Sequence, residues 1–258
     1  MATIKIMSFN MRTSFAKDGD NNFCCRKDKI KDMICVDDPD VIGFQEITPE
    51  MRDFIVAAFD AYYTVGAGRG KTYNDESSLI AYKKSDFQLI SCDTVMLSST
   101  PNVPGSVYEG SDQSSCPREY VKAFLKHKDI SEPFYVYNVH TDHLGALSRT
   151  LASMQMLQDI CSHKHEFFFT GDFNALPGSQ EIRLITDCAS RKIVDATASI
   201  DGTFHNYGKL EATSSSVKID YVFVSENIKV ISSAKVQDEH KDGIYYSDHY
   251  AVTVLAEL

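Results

Sequence analysis

The sequence predicts an α+β chain in which two packed, mainly antiparallel sheets are flanked by helices. Eight short segments carry strand character, only a few show helical periodicity, and some strands follow one another as hairpin-like pairs that a single doubly wound sheet does not need. Across 258 residues no Pro/Gly/Ser linker, repeat or low-complexity tract divides the chain. One domain spanning residues 1–258 is therefore expected.

The first strand is "TIKIMSFNM", ending in the polar Asn10. "CCRKDKIKD" (24–32) is the densest basic run, and the spacing of Ile30, Met33 and Ile34 makes it an amphipathic helix with a solvated charged side. "DVIGFQE" is the second strand. "TPEMRDFIVAAFDAY" has the start of a helix, with Thr48 as N-cap and Pro49 at the first helical position. "SSLIAYK", "VKAFLKH" and "FYVYNVH" follow as strands. In "ALSRTLASMQMLQDICSHK" a helical repeat places Leu147, Leu151, Met154, Leu157 and Cys161 on one face. The three consecutive Phe of "EFFFTGD" predict a strand buried on both sides. "IDYVFVS" and "YAVTVLAEL" complete the set.

Composition is that of an ordinary globular protein, 43% hydrophobic and 24% charged. The start "MATIKIMSFNM" lacks the basic lead and apolar core of a signal peptide, and no apolar run approaches the roughly 18 residues of a membrane span. Seven Cys without C-x-x-C spacing argue for free thiols in a reducing compartment, with the adjacent Cys24 and Cys25 read as packing. A cytoplasmic protein is expected. The formal charge of −10 disfavours a partner held through many phosphates, since such proteins present a basic face.

The polar residues fall at strand ends. Asn10, Glu46, His140 and Asp172 each close a different apolar strand, Asp220 opens "DYVFVS", and "SDH" (247–249) precedes the last strand. Each fragment has a structural explanation: Glu46 before "ITPE" as a cap, Asp172 and Asn174 as an Asx turn, His140 as a core histidine, "SDH" as a surface turn. Yet burying an acid at the end of a greasy strand is costly unless it is paired. If those ends share one edge of the sandwich, they converge on a site.

The order Asn10, Glu46, His140, "GDFN", "IDYVF" and "SDH", running from residue 8 to 250, resembles the endonuclease/exonuclease/phosphatase superfamily of DNase I-like phosphoesterases. The resemblance implies a four-layer αββα sandwich with the site at one end of the sheets. It also implies hydrolysis of a phosphate ester by an activated water, with Mg2+ as cofactor and Mn2+ able to substitute. Metal ligands would be Glu46, with Asn10 as a neutral oxygen donor beside it and Asp248 directly or through water. Asp172 would deprotonate the water. Asn174 would hold that water or a phosphoryl oxygen. His249, kept protonated by Asp220, would stabilise charge on the phosphate, and His140 would be the general acid, oriented by Glu76. Arg118 would reach the phosphate, with a surface ion pair as its alternative. Asp142 and His143 of "HTDH" lack the Cys or further His of a zinc site; they read as a supporting residue and a substrate-side residue.

The substrate follows less directly. A small phosphorylated metabolite, nucleotide or head group suits the negative charge and the short chain. The alternative is a nuclease or deadenylase-like 3′ exonuclease using a local basic rim such as Arg69, Lys71, Lys83, Lys84 and Lys126, and a third reading is a catalytically silent binding module. The polar loop 98–117 argues against membrane insertion. The "GTFHNYG" loop offers Phe204, His205 and Tyr207 as a stacking wall or as packing. No obligate protein partner is evident.

Overall fold

The computed structural model describes residues 2–238 and 242–258. Two six-stranded sheets carry the fold. The first has the order β11-β12-β1-β2-β4-β3 and the second β5-β6-β7-β8-β10-β9. In the first sheet β1 is Thr3–Asn10, β2 Val41–Ile47, β3 Tyr62–Val65, β4 Ser77–Lys83, β11 Lys229–Lys235 and β12 Val252–Glu257. In the second, β5 is Phe87–Met96, β6 Glu119–His127, β7 Phe134–His140, β8 Phe167–Asp172, β9 Ile193–Asp195 and β10 Asp220–Ser225. Pairing is antiparallel except for β1 with β2 and β7 with β8. The helices are α1 (Phe23–Asp37), α2 (Pro49–Ala58), α3 (Ala146–Ile160) and α4 (Gln180–Thr186).

Period-two alternation sorts the side chains into three apolar layers. Ile4 and Ile6 of β1 meet Val136 of β7 and Phe168 of β8 between the sheets. Met7 and Phe9 point outward to Ile30 and Ile34 of α1 and Met51 and Ile55 of α2. Phe167 and Phe169 point the other way, to Met156 and Ile160 of α3 and Ile182 and Ile185 of α4. The Phe triplet is thus buried on both faces, as its sequence requires, and the four layers are helices, sheet, sheet, helices.

Toward the functional end the apolar core between the sheets gives way to a polar staple. Asn138 of β7 donates to the carbonyls of Phe44 (2.7 Å) and Leu79 (2.9 Å) in the opposite sheet, and its Oδ1 accepts from Gln45 Nε2 at 2.6 Å. Gly43 is required there, because a Cβ would collide with Thr170 and Asn138. A buried network that spans both sheets in this way fixes how one sits on the other.

Two details depart from expectation. The buried side of α3 is Ser148, Ala152, Ser153, Met156 and Ile160, while Leu147 and Met154 are exposed and Leu151 and Leu157 only partly buried. Small residues let the helix sit close to the sheet, so the most hydrophobic stripe is not the packed one. On α1, Ile30, Met33 and Ile34 are buried as expected, but Arg26 is fully buried with them. Its guanidinium donates to the carbonyls of Met11, Arg12, Asn21 and Tyr246, tying the loop after β1 to the segment before β12. Among the described residues no helix is long and apolar enough to cross a membrane.

Candidate active site

Strand register assembles the centre. His140 of β7 lies opposite Asp172 of β8, which in turn lies opposite Asp220 of β10, so three adjacent strands present one row of functional groups. In the other sheet Asn10 pairs with Gln45 in register, and the next residue, Glu46, occupies a bulge of β2 with φ of 62°. A bulge re-aims a side chain out of the alternation, and here it sends the Glu46 carboxylate toward the neighbouring strand ends. Asn174, with φ of 46°, makes the corresponding turn after β8. Left-handed backbone at a Glu is uncommon, and strain of this kind gathers at functional sites.

The groups meet in a cleft of about 350 Å³ lined by Glu46, His140, Asp172, Asn174, Asp248 and His249 together with Arg12, Arg69, Glu76, Arg118, His143 and Phe204. Asp172 is its hub. One carboxylate oxygen accepts the Asn174 backbone N–H at 2.9 Å and the other the Asn10 amide at 2.9 Å. His140 Nε2 and His249 Nε2 stand 3.6 and 3.8 Å from that second oxygen. Burial, reinforced by the charge of Asp220, pushes the Asp172 carboxyl above the usual carboxylate range.

His249 Nδ1 and Asp220 Oδ2 are 2.9 Å apart. Burial alone would strip the ring of its proton, but Asp220, Asp172 and Asp248 outweigh it and push the imidazolium up to about 10. His140 is the opposite case. Burial first, then the guanidiniums of Arg118 and Arg69, hold it well below the usual histidine value, and its Nδ1 has no hydrogen-bond partner. The general acid expected from the sequence would thus have to donate from a neutral ring, whose Nε2 faces Asp172. Glu76, expected to orient it, is instead bound by Arg69 Nη2 at 2.7 Å.

Asn10 also differs. Its amide nitrogen braces Glu46 (3.1 Å) and Asp172, while its oxygen accepts the Arg12 backbone N–H at 2.9 Å. That orientation makes it a link between carboxylates rather than an oxygen ligand. Arg12 itself, which sequence reasoning missed, lies 3.6 Å from Asp248 and donates to Asp18 at 3.0 Å. Its only signal is its place two residues after a strand-end Asn. Arg118 does reach the cleft: it is buried, not a surface pair, and Nη2 bonds His143 Nδ1 at 2.9 Å. Asp142 supports that corner from below, accepting the backbone N–H groups of Ser114, Leu144 and Gly145. Phe204 lines the cleft against the His249 ring, whereas His205 is buried away from it.

A divalent cation fits this donor set. Asp172, Asp220 and His249 offer ligand atoms within 4.8 Å of one another, but His249 is committed as an imidazolium to Asp220. Glu46 and Asp248 remain: burial pushes the Asp248 carboxyl up, with the charge of Glu46 adding to the rise and His249 and Arg12 opposing it. Hard oxygen donors repelling one another in a cleft form an acidic site suited to a hard cation.

The model of the Endonuclease/Exonuclease/phosphatase family matches residues 7–249. A solved endonuclease/exonuclease/phosphatase from Bacteroides vulgatus is 26% identical, with each chain fully covered and a TM-score of 0.93. A functionally unknown protein from Enterococcus faecalis is 26% identical over 98% of this chain and 99% of its own, with a TM-score of 0.89. A mannosyl-6-phosphatase from Bacteroides thetaiotaomicron is 24% identical over 99% of this chain and 100% of its own, with a TM-score of 0.86.

Proposed function

Because the chain belongs to the endonuclease/exonuclease/phosphatase family, whose members hydrolyse phosphate esters, we propose that it is a Mg2+-dependent phosphoesterase acting on a small phosphorylated metabolite, nucleotide or head group. The observation that carries this reading is the juxtaposition, in one small cleft, of the Glu46 and Asp248 carboxylates with Asp172 and His249, the latter backed by Asp220. About 350 Å³ lies near the lower end of the range for small-molecule sites, roughly 300–1,000 Å³.

Glu46 and Asp248 would hold Mg2+, with Mn2+ accepted by the same oxygen donors. The cation, when bound, supplies neutralisation of charge at the phosphoryl oxygens. Asp172 takes the proton of the attacking water, and its raised basicity favours that transfer over what an exposed aspartate would offer. Asn10 and the Asn174 backbone hold it in place. His249 keeps its proton and points Nε2–H at the charge that develops on phosphorus-bound oxygen. Neutral His140 contributes a hydrogen bond rather than a proton.

A second reading, cleavage of single-stranded nucleic acid, draws on Phe204, whose ring at the cleft edge could stack a base. The basic rim gives it little support. Of Arg69, Lys71, Lys83, Lys84 and Lys126 only Arg69 lines the cleft, and Lys83 is held by Asp38 and Asp40 at 3.0 and 2.9 Å. The test is a screen of sugar phosphates, nucleotides, lipid head groups and 3′-adenylated RNA with Mg2+ and with Mn2+. Small esters should be hydrolysed fastest; RNA cleaved faster, with steep loss on raising salt, selects the second reading.

A further inference from the structure

We propose that Arg69, together with Arg118, forms a wall that grips the doubly charged terminal phosphate of a phosphomonoester and sets the enzyme against phosphodiesters. The inference rests on the phosphoesterase reading above. Both guanidiniums are buried, at 8% and 3% exposure, and both line the cleft. Among the described residues, Arg69 Nε and Arg118 Nε and Nη1 nevertheless have no hydrogen-bond partner. Buried charged donors are rarely left unpaired, so these N–H groups mark where a ligand completes the set.

The acids nearby do not fill that role. Asp142 Oδ2 lies 3.5 Å from Arg118 Nε, but the Asp142 carboxylate is taken up by the Ser114 hydroxyl and three backbone N–H groups. Glu76 engages Nη2 of Arg69 and leaves Nε free. Glu119 stands behind both and accepts the Ser78 N–H at 2.7 Å. Burial pushes its carboxyl up to about 7, so it neutralises the wall only in part.

Arg69 is also held rigidly. Its N–H donates to Glu76 O at 2.9 Å across a closed loop in which Gly68 has no room for a Cβ against the Tyr73 and Asp75 carbonyls. Gly66, with φ of 121°, allows the chain to enter that loop. A preorganised guanidinium fork suits an anion with several terminal oxygens. A monoester offers three such oxygens and two charges, a diester two oxygens and one charge. In the reaction the water oxygen bonds to phosphorus, the ester P–O bond breaks, and the proton given up by water ends on the departing alcohol.

The experiment compares 4-nitrophenyl phosphate with methyl 4-nitrophenyl phosphate in the metal-loaded protein, for the unmodified chain, Arg69→Gln and Arg69→Lys. Calorimetry of inorganic phosphate and dimethyl phosphate runs beside it. The unmodified protein should prefer the monoester, and the monoester-to-diester ratio of kcat/KM should fall about 10- to 100-fold in Arg69→Gln, the range for a lost charge-assisted hydrogen bond. Arg69→Lys keeps the charge without the fork and should fall between; it carries the test if Arg69→Gln does not fold. A diester cleaved as fast as the monoester, or a ratio unmoved by both substitutions, overturns the proposal while leaving phosphoesterase activity standing. If neither ester is hydrolysed, the functional reading fails, and the wall is judged by binding alone: dimethyl phosphate held as tightly as inorganic phosphate overturns it.

Discussion

His249 and His140 are buried in the same cleft and stand almost equally far from the same Asp172 oxygen, 3.8 and 3.6 Å, yet one is charged and the other neutral. The difference comes from the walls behind them. His249 is backed by Asp220 and Asp248, His140 by Arg118 and Arg69. Residue type therefore does not fix chemical role at this site; the sign of the neighbouring charge does. One wall is built of carboxylates and an imidazolium, the other of guanidiniums with N–H donors left over.

The largest effect should come from the residue the two walls share. Asp172→Asn keeps the shape and removes the base, and kcat should fall by about 10²–10⁴-fold with the circular dichroism spectrum unchanged. A loss of only a few-fold would take Asp172 out of the chemistry. Glu46→Gln tests the acidic wall from its other end: Mg2+ binding by calorimetry should weaken and turnover should drop with it.

Asp220→Asn separates the histidines next. Without its partner His249 loses the largest support for its proton, so an NMR titration should find its value moved down from about 10. The alkaline limb of the rate profile should move with it, at a cost of about 10²-fold in kcat at neutral pH. Stability has a definite sign. The folded value lies above the unfolded one of about 6.5, so the pair's contribution is whole below pH 6.5 and is lost as pH rises through about 10. Chemical denaturation across that window should show the unmodified protein losing stability relative to Asp220→Asn. Parallel curves would mean that His249 is not held as an imidazolium.

His140→Gln asks for less, because a neutral imidazole gives one hydrogen bond that an amide can replace. A decrease of roughly 2- to 10-fold in kcat is expected, the size of a neutral hydrogen bond. A thousandfold loss with a changed pH profile would restore His140 as a proton donor.

The same contrast of surroundings explains what could be read in the sequence. The eight inner strands were legible because each is packed on both sides by neighbours and declares itself in Val, Ile, Phe and Tyr. The four not anticipated, Tyr62–Val65, Phe87–Met96, Ile193–Asp195 and Lys229–Lys235, are the four sheet edges. Edge strands are half-solvated and are often short or charged, which erases the pattern. Lys229–Lys235, reading "KVISSAK" with a bulge at its centre, is a clear case. The short helix α4 was hidden for a similar reason, seven residues being too few to establish a period. Site residues at strand ends were visible because polarity there contradicts the apolar run before it. Arg12 and the pairing of Arg69 with Glu76 were not, because loops carry no periodicity against which a buried charge stands out, and Arg26 was not, because on α1 it sits inside a basic run that reads as a solvated helix face.

The smallest predicted effect lies behind the guanidinium wall. Glu119 has a folded value of about 7 against roughly 4.3 for an unfolded glutamate, so the native state holds its proton more tightly than the unfolded chain does. That contribution is fully present below pH 4.3 and is lost as pH rises through 7. Glu119→Gln keeps the carbonyl oxygen that accepts the Ser78 N–H, so packing and the 2.7 Å bond survive. The substitution should leave activity within a few-fold and alter stability by about 1 kcal/mol, the typical scale for a point substitution, while flattening the decline of stability between pH 4.3 and 7. Thermal melts of both proteins across that range measure it. If the two decline in parallel, Glu119 is ionised throughout and fully compensates the arginines in front of it, and the charge contrast between the two walls is smaller than their geometry implies.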